Sequence, residues 1–152
     1  MVIQRTEAAE LTRNILIDWI PLFEDQGIAY SIEIPEQAII VEFNPESYMR
    51  IINNLLQNVI VHSQADTVTV RLAKKEDTMQ LLVADNGVGI RKEDLKLIFS
   101  RLFKCDKSRS EKGSGLGLSI AYQLAEKMGG KLAVESSPGQ GATFILTLPL
   151  AE

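Results

Sequence analysis

DNGVGI, at Asp85–Ile90, is the stretch of sequence that decides the fold, together with GSGLGL at Gly113–Leu118. The first stretch places a carboxylate before a glycine-containing turn, directly after the apolar run Leu81–Ala84. The second opens a predicted helix with glycines, so that free backbone N–H groups and the positive end of the helix dipole can face phosphate oxygens. A carboxylate that can accept a hydrogen bond from an exocyclic amine, beside such a helix start, predicts a purine nucleotide site.

Around these stretches, predicted helices and strands are interspersed. Apolar residues at helical spacing predict long helices at 6–25, 45–62 and 115–128, and a short one at 91–99. Strands are predicted at 28–34, 38–43, 66–73, 79–84, 131–136 and 142–148. The second strand is expected to form a hairpin with the first or to lie beside it. Because several strands follow one another directly, the pattern favours an α+β, two-layer sandwich with about five mostly antiparallel strands on three helices.

Composition narrows the function classes. The 152 residues predict a single domain over 1–152. A net charge of −4 without a Lys/Arg block argues against a nucleic-acid groove. The single cysteine, Cys105, rules out an internal disulfide, and one cysteine with one histidine cannot build a structural zinc site. No apolar run approaches the roughly 20 residues of a membrane span, so a cytoplasmic location is expected.

A polar stripe runs along the predicted helix at 45–62. Asn54, Asn58 and His62 follow one another at intervals of four residues, on a helix that is otherwise largely apolar. Buried polar groups need partners, so these side chains could cap loops or bind ordered water. Alternatively, Asn58 could offer its side-chain oxygen to Mg²⁺, which prefers oxygen ligands and keeps most of its waters.

Other glycine-rich nucleotide sites do not fit. A dinucleotide fold would need Gly113–Gly115 to follow a strand, but a polar loop precedes it. The phosphate-loop pattern fails at Gly130–Lys131, and neither His-Arg-Asp nor Asp-Phe-Gly of serine/threonine kinases occurs. A purely structural interpretation would make Gly87 and Gly89 parts of a tight turn and Asp85 a turn-forming residue.

Four ordered motifs resemble one family. The stretches NLLQN (54–58), DNGVGI (85–90), FSRLFKCD (99–106) and GSGLGL (113–118) resemble the N, G1, F and G2 boxes of the catalytic ATP-binding domain of bacterial sensor histidine kinases. SPGQGATF (137–144) looks like the C-terminal hairpin of that domain. The resemblance covers nearly the whole chain, and it implies the Bergerat ATP-binding fold with a mobile ATP lid at about 100–114.

The resemblance also implies roles for individual residues. Asp85 would accept the adenine amino proton in a hydrogen bond, and Thr143 would hold a water beside it. Asn58 would bind Mg²⁺, and Asn54 would lie close to the phosphates. The remaining residues implied to contact the nucleotide around the base are His62, Gly87, Gly89, Ile90, Leu118 and Phe144.

The triphosphate is implied to lie at the glycine-rich helix start. Gly113, Gly115 and Gly117 would let the backbone approach the phosphates. Lys104 occupies the place where the family usually has an arginine near the γ-phosphate. A lysine keeps the charge but loses the bidentate geometry of a guanidinium group. Asn58 and Lys104 are therefore the implied catalytic residues.

Two departures from the family pattern bear on function. Val61 and His62 stand where many members have Lys-Tyr, so one phosphate contact is missing, while His62 could still edge the nucleotide. His62 is also the only histidine, which implies that the phosphoacceptor lies on a dimerisation hairpin outside this chain. The implied partners are that hairpin and, indirectly, a response regulator. The chain itself is expected to be monomeric and to form the cytoplasmic part of a membrane-anchored sensor.

Alternative functions remain open at this point. The leading one is transfer of the γ-phosphoryl group of Mg·ATP to a histidine. Topoisomerase-like and chaperone-like switches instead hydrolyse ATP with a glutamate four residues before the metal-binding asparagine, where this chain has Asn54, which is no general base. Anti-sigma serine kinases also carry that glutamate and lack this F box. A module that binds a nucleotide without chemistry is the third alternative.

Overall fold

The computed structural model describes residues 1–100 and 117–151. Within these ranges the strands are β1 (Gln4–Glu7), β2 (Ala29–Glu33), β3 (Ile40–Phe43), β4 (Thr67–Lys75), β5 (Thr78–Asp85), β6 (Lys131–Ser136) and β7 (Ala142–Pro149). The helices are α1 (Ala8–Asp25), α2 (Pro45–Asn58), α3 (Lys92–Leu95) and α4 (Gly117–Lys127), with a π-helical turn at Val59–Ser63 after α2. The lid predicted at about 100–114 lies, apart from Ser100, outside the described residues.

Five strands form the main sheet, in the order β2-β4-β5-β7-β6. β2 runs parallel to β4, and the other neighbouring pairs are antiparallel. The long helices α1, α2 and α4 supply the second layer, and α2 packs against both α1 and α4. The predicted two-layer α/β sandwich is confirmed. None of the described helices is both long and apolar enough to span a bilayer.

A small second sheet corrects two predictions. β1, which was not predicted, pairs antiparallel with β3, so α1 begins at Ala8 instead of near residue 6. The strand predicted at 38–43 was expected to pair with the strand at 28–34, and this is wrong: β2 pairs with β4 instead.

The Glu7 carboxylate explains how β1, α1 and β3 are held together. It caps α1 by accepting hydrogen bonds from the N–H groups of Ala9 (2.8 Å) and Glu10 (3.0 Å), and it also accepts one from Ile39 (2.9 Å) just before β3. Burial raises the pKa of Glu7, but these N–H groups and the charge of Arg13 outweigh it and hold the pKa below its usual value.

Polar contacts fix α1 against α2 inside the helical layer. The hydroxyl of the fully buried Tyr48 lies 2.7 Å from Thr12 Oγ1, which donates to the carbonyl of Ala8 at 2.6 Å. Trp19 Nε1 donates to Asn53 Oδ1 at 2.8 Å. Buried polar groups of both helices are thereby satisfied, which a densely packed helical layer requires.

The helix-facing side of β5 and β7 leads directly to the site. Because side chains alternate along a strand, directly paired residues of the two strands share a face. The buried pairs on this face are Met79 with Leu148, Leu81 with Leu146, and Val83 with Phe144. The next pair, Asp85 opposite Ala142, lies at the end of the same face. The apolar core thus ends at a carboxylate.

The C-terminal end of α2 departs from a regular helix. Its start is as predicted: Asn44 Oδ1 accepts a hydrogen bond from the N–H of Ser47 (2.8 Å), and proline occupies the first turn. The α-helix does not reach His62, however, but ends at Asn58 and continues as the π-helical turn. In that turn Ser63 Oγ donates to the Val59 carbonyl at 2.6 Å. Single π-helical turns inside helices are frequent at functional sites.

The remaining element ends are close to the predictions. α1 continues through Pro21 to Asp25, and the helix predicted at 91–99 is limited to the single turn of α3. α4 ends at Lys127, just before the predicted Gly129–Gly130 pair, where Gly129 has a φ of 77° and the N–H of Gly130 donates to the carbonyl of Ala125 at 2.9 Å.

Candidate nucleotide site

An open cleft lies where the end of β5, the π-helical turn and the β6–β7 hairpin meet. Its described lining residues are Asn58, His62, Ser63, Gln64, Asp85, Val88, Gly89, Ile90, Ile98 and Ala142. Asp85 is the one carboxylate in this described lining.

The two carboxylate oxygens of Asp85 differ in their surroundings. Oδ1 accepts a hydrogen bond from the N–H of Gly87 at 2.8 Å, which fixes the orientation of the carboxylate. Oδ2 is buried and has no hydrogen-bond partner among residues 1–100 and 117–151. Burial raises the pKa of Asp85, and the backbone N–H groups of Gly87 and Ala142 oppose that rise. A buried acceptor without a hydrogen bond lowers the stability of the folded protein, so a ligand that donates a hydrogen bond to Oδ2 would bind favourably.

Glycines let three backbone segments approach one another around Asp85. A Cβ at Gly87 would collide with the carbonyl oxygen of Ser63, which accepts a hydrogen bond from the N–H of Val88 at 2.8 Å. Gly89 has a φ of 75°, and a Cβ there would collide with the carbonyl oxygen of Ser137. Gly89 lines the cleft, whereas Gly87 serves chiefly to hold Asp85 and to contact the π-helical turn.

The β6–β7 hairpin corrects the expectation for Thr143. Thr143 pairs with Ala84 and therefore faces away from the helical layer, while Ala142 pairs with Asp85 and lines the cleft. Thr143 cannot hold a water beside Asp85 from that face. Gly141, which was not predicted, approaches the backbone of Asp85 so closely that a Cβ would collide with its carbonyl oxygen.

The polar stripe of α2 divides between two places. Asn58 and His62 line the cleft. Asn54 lies one turn earlier, where its Nδ2 donates to the carbonyl oxygen of Gly117 at 3.0 Å. The amide of Asn54 thereby connects α2 to the first residue of α4, at the described edge of the glycine-rich segment.

Other predicted residues lie beside the cleft or outside the described chain. Ile90 lines it, whereas Leu118 is buried in α4 and Phe144 lies in the core, edge-on to Phe99 at a centroid distance of 6.2 Å. Lys104, Gly113 and Gly115 lie outside the described residues. The lining residues that the sequence did not single out are Ser63, Gln64, Val88, Ile98 and Ala142. Of these, Ala142 had a usable signal, because it shares the period-two apolar pattern of Phe144.

The donor set fits a magnesium ion only in combination with a charged ligand. Within residues 1–100 and 117–151, the amide of Asn58 makes no side-chain hydrogen bond, so its oxygen is available in the cleft. The same residues contain no cluster of three acidic, histidine or cysteine side chains that could hold a metal ion. A single neutral oxygen suits an ion whose other ligands are phosphate oxygens and water.

Comparison with known proteins assigns the chain to a family. Residues 43–152 match the sequence profile of the histidine kinase-, DNA gyrase B- and HSP90-like ATPases. The chain belongs to this family. The family match spans the described site from α2 to β7, so the resemblance inferred from the four motifs is confirmed.

Relatives within this ATPase family are sensor histidine kinases. The chain is 41% identical over 131 residues to the sensor histidine kinase MtrB of Mycolicibacterium paratuberculosis. The aligned residues make up 85% of this chain but only 23% of the length of MtrB. The catalytic domain of histidine kinase ThkA shares the fold, with a TM-score of 0.84 over 98% of both chains at 24% identity. Full-length ShkA, solved in complex with AMPPNP, is 25% identical, with a TM-score of 0.80 over 98% of this chain and 31% of ShkA.

Proposed function

We propose that this chain is the ATP-binding catalytic domain of a sensor histidine kinase, which transfers the γ-phosphoryl group of Mg·ATP to a histidine outside the chain. The observation that carries the proposal is the buried Oδ2 of Asp85, which has no hydrogen-bond partner among residues 1–100 and 117–151, in a cleft whose described lining holds no other carboxylate. The relatives support it, because the similar MtrB is a sensor histidine kinase and the similar ShkA was solved with AMPPNP.

Base recognition follows from the chemistry of Asp85. An ionised carboxylate oxygen accepts hydrogen bonds and cannot donate them. The exocyclic amine of adenine supplies a donor, whereas guanine presents a carbonyl oxygen at the equivalent position and would meet Oδ2 unfavourably. The apolar side chains of Ile90 and Ile98, which line the cleft, would pack against the faces of the base.

Phosphate binding would involve the other end of the site. Asn58 would hold Mg²⁺, and the bound ion would neutralise part of the charge of the triphosphate. Asn54 keeps α2 in contact with the start of α4, where Gly117 and the preceding Gly113 and Gly115 would let the backbone approach the phosphates. We also propose Lys104 as the cation near the γ-phosphate.

The site favours transfer over hydrolysis. A hydrolase needs a general base to activate water, but position 54 carries an amide whose Nδ2 already donates to Gly117. Asp85 is the one carboxylate of the described cleft, and it is assigned to the base. In the transfer, the bond between the γ-phosphorus and the bridging oxygen breaks, a phosphorus–nitrogen bond forms on histidine, ADP leaves and the histidine releases its proton.

The acceptor and the downstream partner complete the proposal. His62 is the only histidine in the sequence, and it lines the nucleotide cleft. We therefore assign the acceptor to a dimerisation hairpin on another segment, and the phosphoryl group passes from there to a response regulator. This assignment places the chain on the cytoplasmic side of a membrane-anchored sensor, where ATP is available.

Phosphotransfer from radiolabelled ATP tests the proposal. The chain is incubated with Mg·ATP alone and then with a separately supplied helical hairpin that carries an acceptor histidine. We expect binding of ATP with little turnover by the chain alone, and slow labelling of the hairpin, because tethering normally supplies a high effective concentration.

Matched variants on α2 make this test specific. Asn58→Ala should abolish labelling, whereas Gln57→Ala, on the exposed side of the same helix, should leave it unchanged. Rapid release of inorganic phosphate by the chain alone would contradict the kinase proposal and favour a hydrolysing switch.

A further inference from the structure

The β6–β7 hairpin contacts the loop that follows Asp85 through backbone atoms and through one side-chain hydroxyl. We propose that Ser136 is a positioning residue for base recognition, because its hydroxyl holds two walls of the cleft in register. This inference rests on the proposed nucleotide-binding function and adds a residue to it. Ser136 does not line the described part of the cleft, so it acts through Ile90 and Gly141.

The hydroxyl of Ser136 makes two hydrogen bonds in opposite directions. Its oxygen accepts from the backbone N–H of Ile90 at 2.8 Å, and its proton goes to the backbone carbonyl of Gly141 at 2.6 Å. Ile90 is a wall of the cleft, and Gly141 directly precedes Ala142, the residue opposite Asp85. One hydroxyl therefore joins the loop of Asp85 to the strand that faces it.

The other described contacts between the hairpin and the loop after Asp85 are made by backbone atoms, so the hydroxyl of Ser136 is the contact that a substitution can test. The N–H of Gly139 donates to the carbonyl of Val88 at 2.8 Å, and Gly89 packs against the carbonyl of Ser137. Both of these contacts are made by backbone atoms, so no substitution of a non-glycine side chain removes them directly. Ser136 is half-buried, and its two hydrogen bonds are the ones at this junction, among the described contacts, that a side-chain substitution can remove.

Loss of the hydroxyl would weaken binding of the base and leave binding of the phosphates unaffected. Without it, the N–H of Ile90 and the carbonyl of Gly141 lose a common partner, so the two walls can shift relative to each other. A Cβ at Gly141 would collide with the backbone carbonyl oxygen of Asp85, so the two backbones lie close together and a shift of Gly141 would alter the position of Asp85. Asn58, on α2, is not part of this junction.

Nucleotide binding by Ser136 variants tests the inference. The probes are ATP and GTP, measured by competition against a fluorescent ATP analogue, together with the melting temperature of each variant. Ser136→Ala should weaken ATP binding by about tenfold, the effect of losing roughly one hydrogen bond, and should reduce the preference for ATP over GTP. Ser136→Thr keeps the hydroxyl and should restore both values.

Further variants exclude a purely structural role. Ser137→Ala, which removes an exposed hydroxyl at the next position, should bind ATP as the unmodified chain does. If Ser136→Ala does not fold, Ser136→Cys replaces it, and its weaker hydrogen-bonding group should likewise lower the ATP preference. An unchanged ratio of ATP to GTP affinity in the folded Ser136 variant would overturn the inference, even if its melting temperature falls. Absence of ATP binding by the unmodified chain would instead overturn the proposed function, and the inference with it.

Discussion

At the scale of single residues, Asp85 combines a fixed orientation with an incomplete set of hydrogen bonds. Gly87 holds Oδ1, while the buried Oδ2 lacks a partner among the described residues. Such a group costs stability in the empty protein, and the cost is recovered when a donor binds. The same feature that makes the residue unfavourable for folding therefore makes it selective for a ligand.

Replacing Asp85 should weaken ATP binding strongly. Removal of one partner of a charged, partly buried hydrogen bond costs roughly 1.5–3 kcal/mol, so Asp85→Ala should lower the affinity for ATP by about tenfold to a hundredfold. Isothermal titration calorimetry measures the effect. Asp77→Asn, an exposed change in the turn between β4 and β5, serves as the control and should leave the affinity unchanged. Equal affinities of the Asp85→Ala variant and the unmodified chain would refute the role of this carboxylate.

The raised pKa of Asp85 predicts a pH dependence of stability with a defined sign. Because the pKa in the folded protein lies above that in the unfolded chain, the stability that this group contributes is fully present below the unfolded pKa. It is lost as the pH rises through the folded pKa. The melting temperature of Asp85→Asn relative to the unmodified chain should therefore increase from acidic to neutral pH. A difference that stays constant, or that falls over this range, would contradict the assignment.

At the scale of elements, the cleft is built by backbones that approach one another at glycines. The end of β5, the π-helical turn and the β6–β7 hairpin meet there, and their backbones make close contacts. Gly139 and Gly141 offer a matched comparison, because both have a positive φ but only Gly141 has a neighbouring backbone in the way.

Alanine at these two glycines should distinguish the cost of a left-handed backbone from the effect of a Cβ that collides with the backbone of Asp85. Gly139→Ala should cost stability only through its left-handed conformation, about 1 kcal/mol, and should leave ATP affinity nearly unchanged. Gly141→Ala must also displace the backbone of Asp85, so it should lower ATP affinity by at least about tenfold. Equilibrium unfolding and calorimetric titration on both variants distinguish the two effects. Equal ATP affinities of the two variants would show that a Cβ at Gly141 is accommodated without displacing Asp85.

The sequence predicted most elements but not all of their pairings. Periodicity locates a strand without specifying its neighbour, so the strand at 38–43 was assigned to the wrong partner, and the short β1 carries too little pattern to be recognised. The π-helical turn was missed because apolar spacing continues through it. Thr143 was assigned from the motif alone, although the apolar alternation of Ala142 and Phe144 indicates the opposite face.

At the scale of the whole molecule, the site combines segments that are distant in sequence. Residues near 58–64, 85–90 and 136–142 meet around the cleft; the order of the sheet places β5 beside β7, which brings the second and third of these segments together. The motifs predicted which segments meet, since each carries a distinct chemical signal. They did not predict that one carboxylate oxygen stays unpaired among the described residues, because that depends on the packing of all three segments.

The most direct test is the crystal structure of this chain with Mg²⁺ and a non-hydrolysable ATP analogue. We expect the exocyclic amine of adenine at hydrogen-bond distance from Oδ2 of Asp85, roughly 2.7–3.2 Å. We also expect Ile90 and Ile98 to contact the base. An analogue bound with its base outside this cleft, while Oδ2 of Asp85 stays unpaired, would refute the proposed recognition of adenine by Asp85.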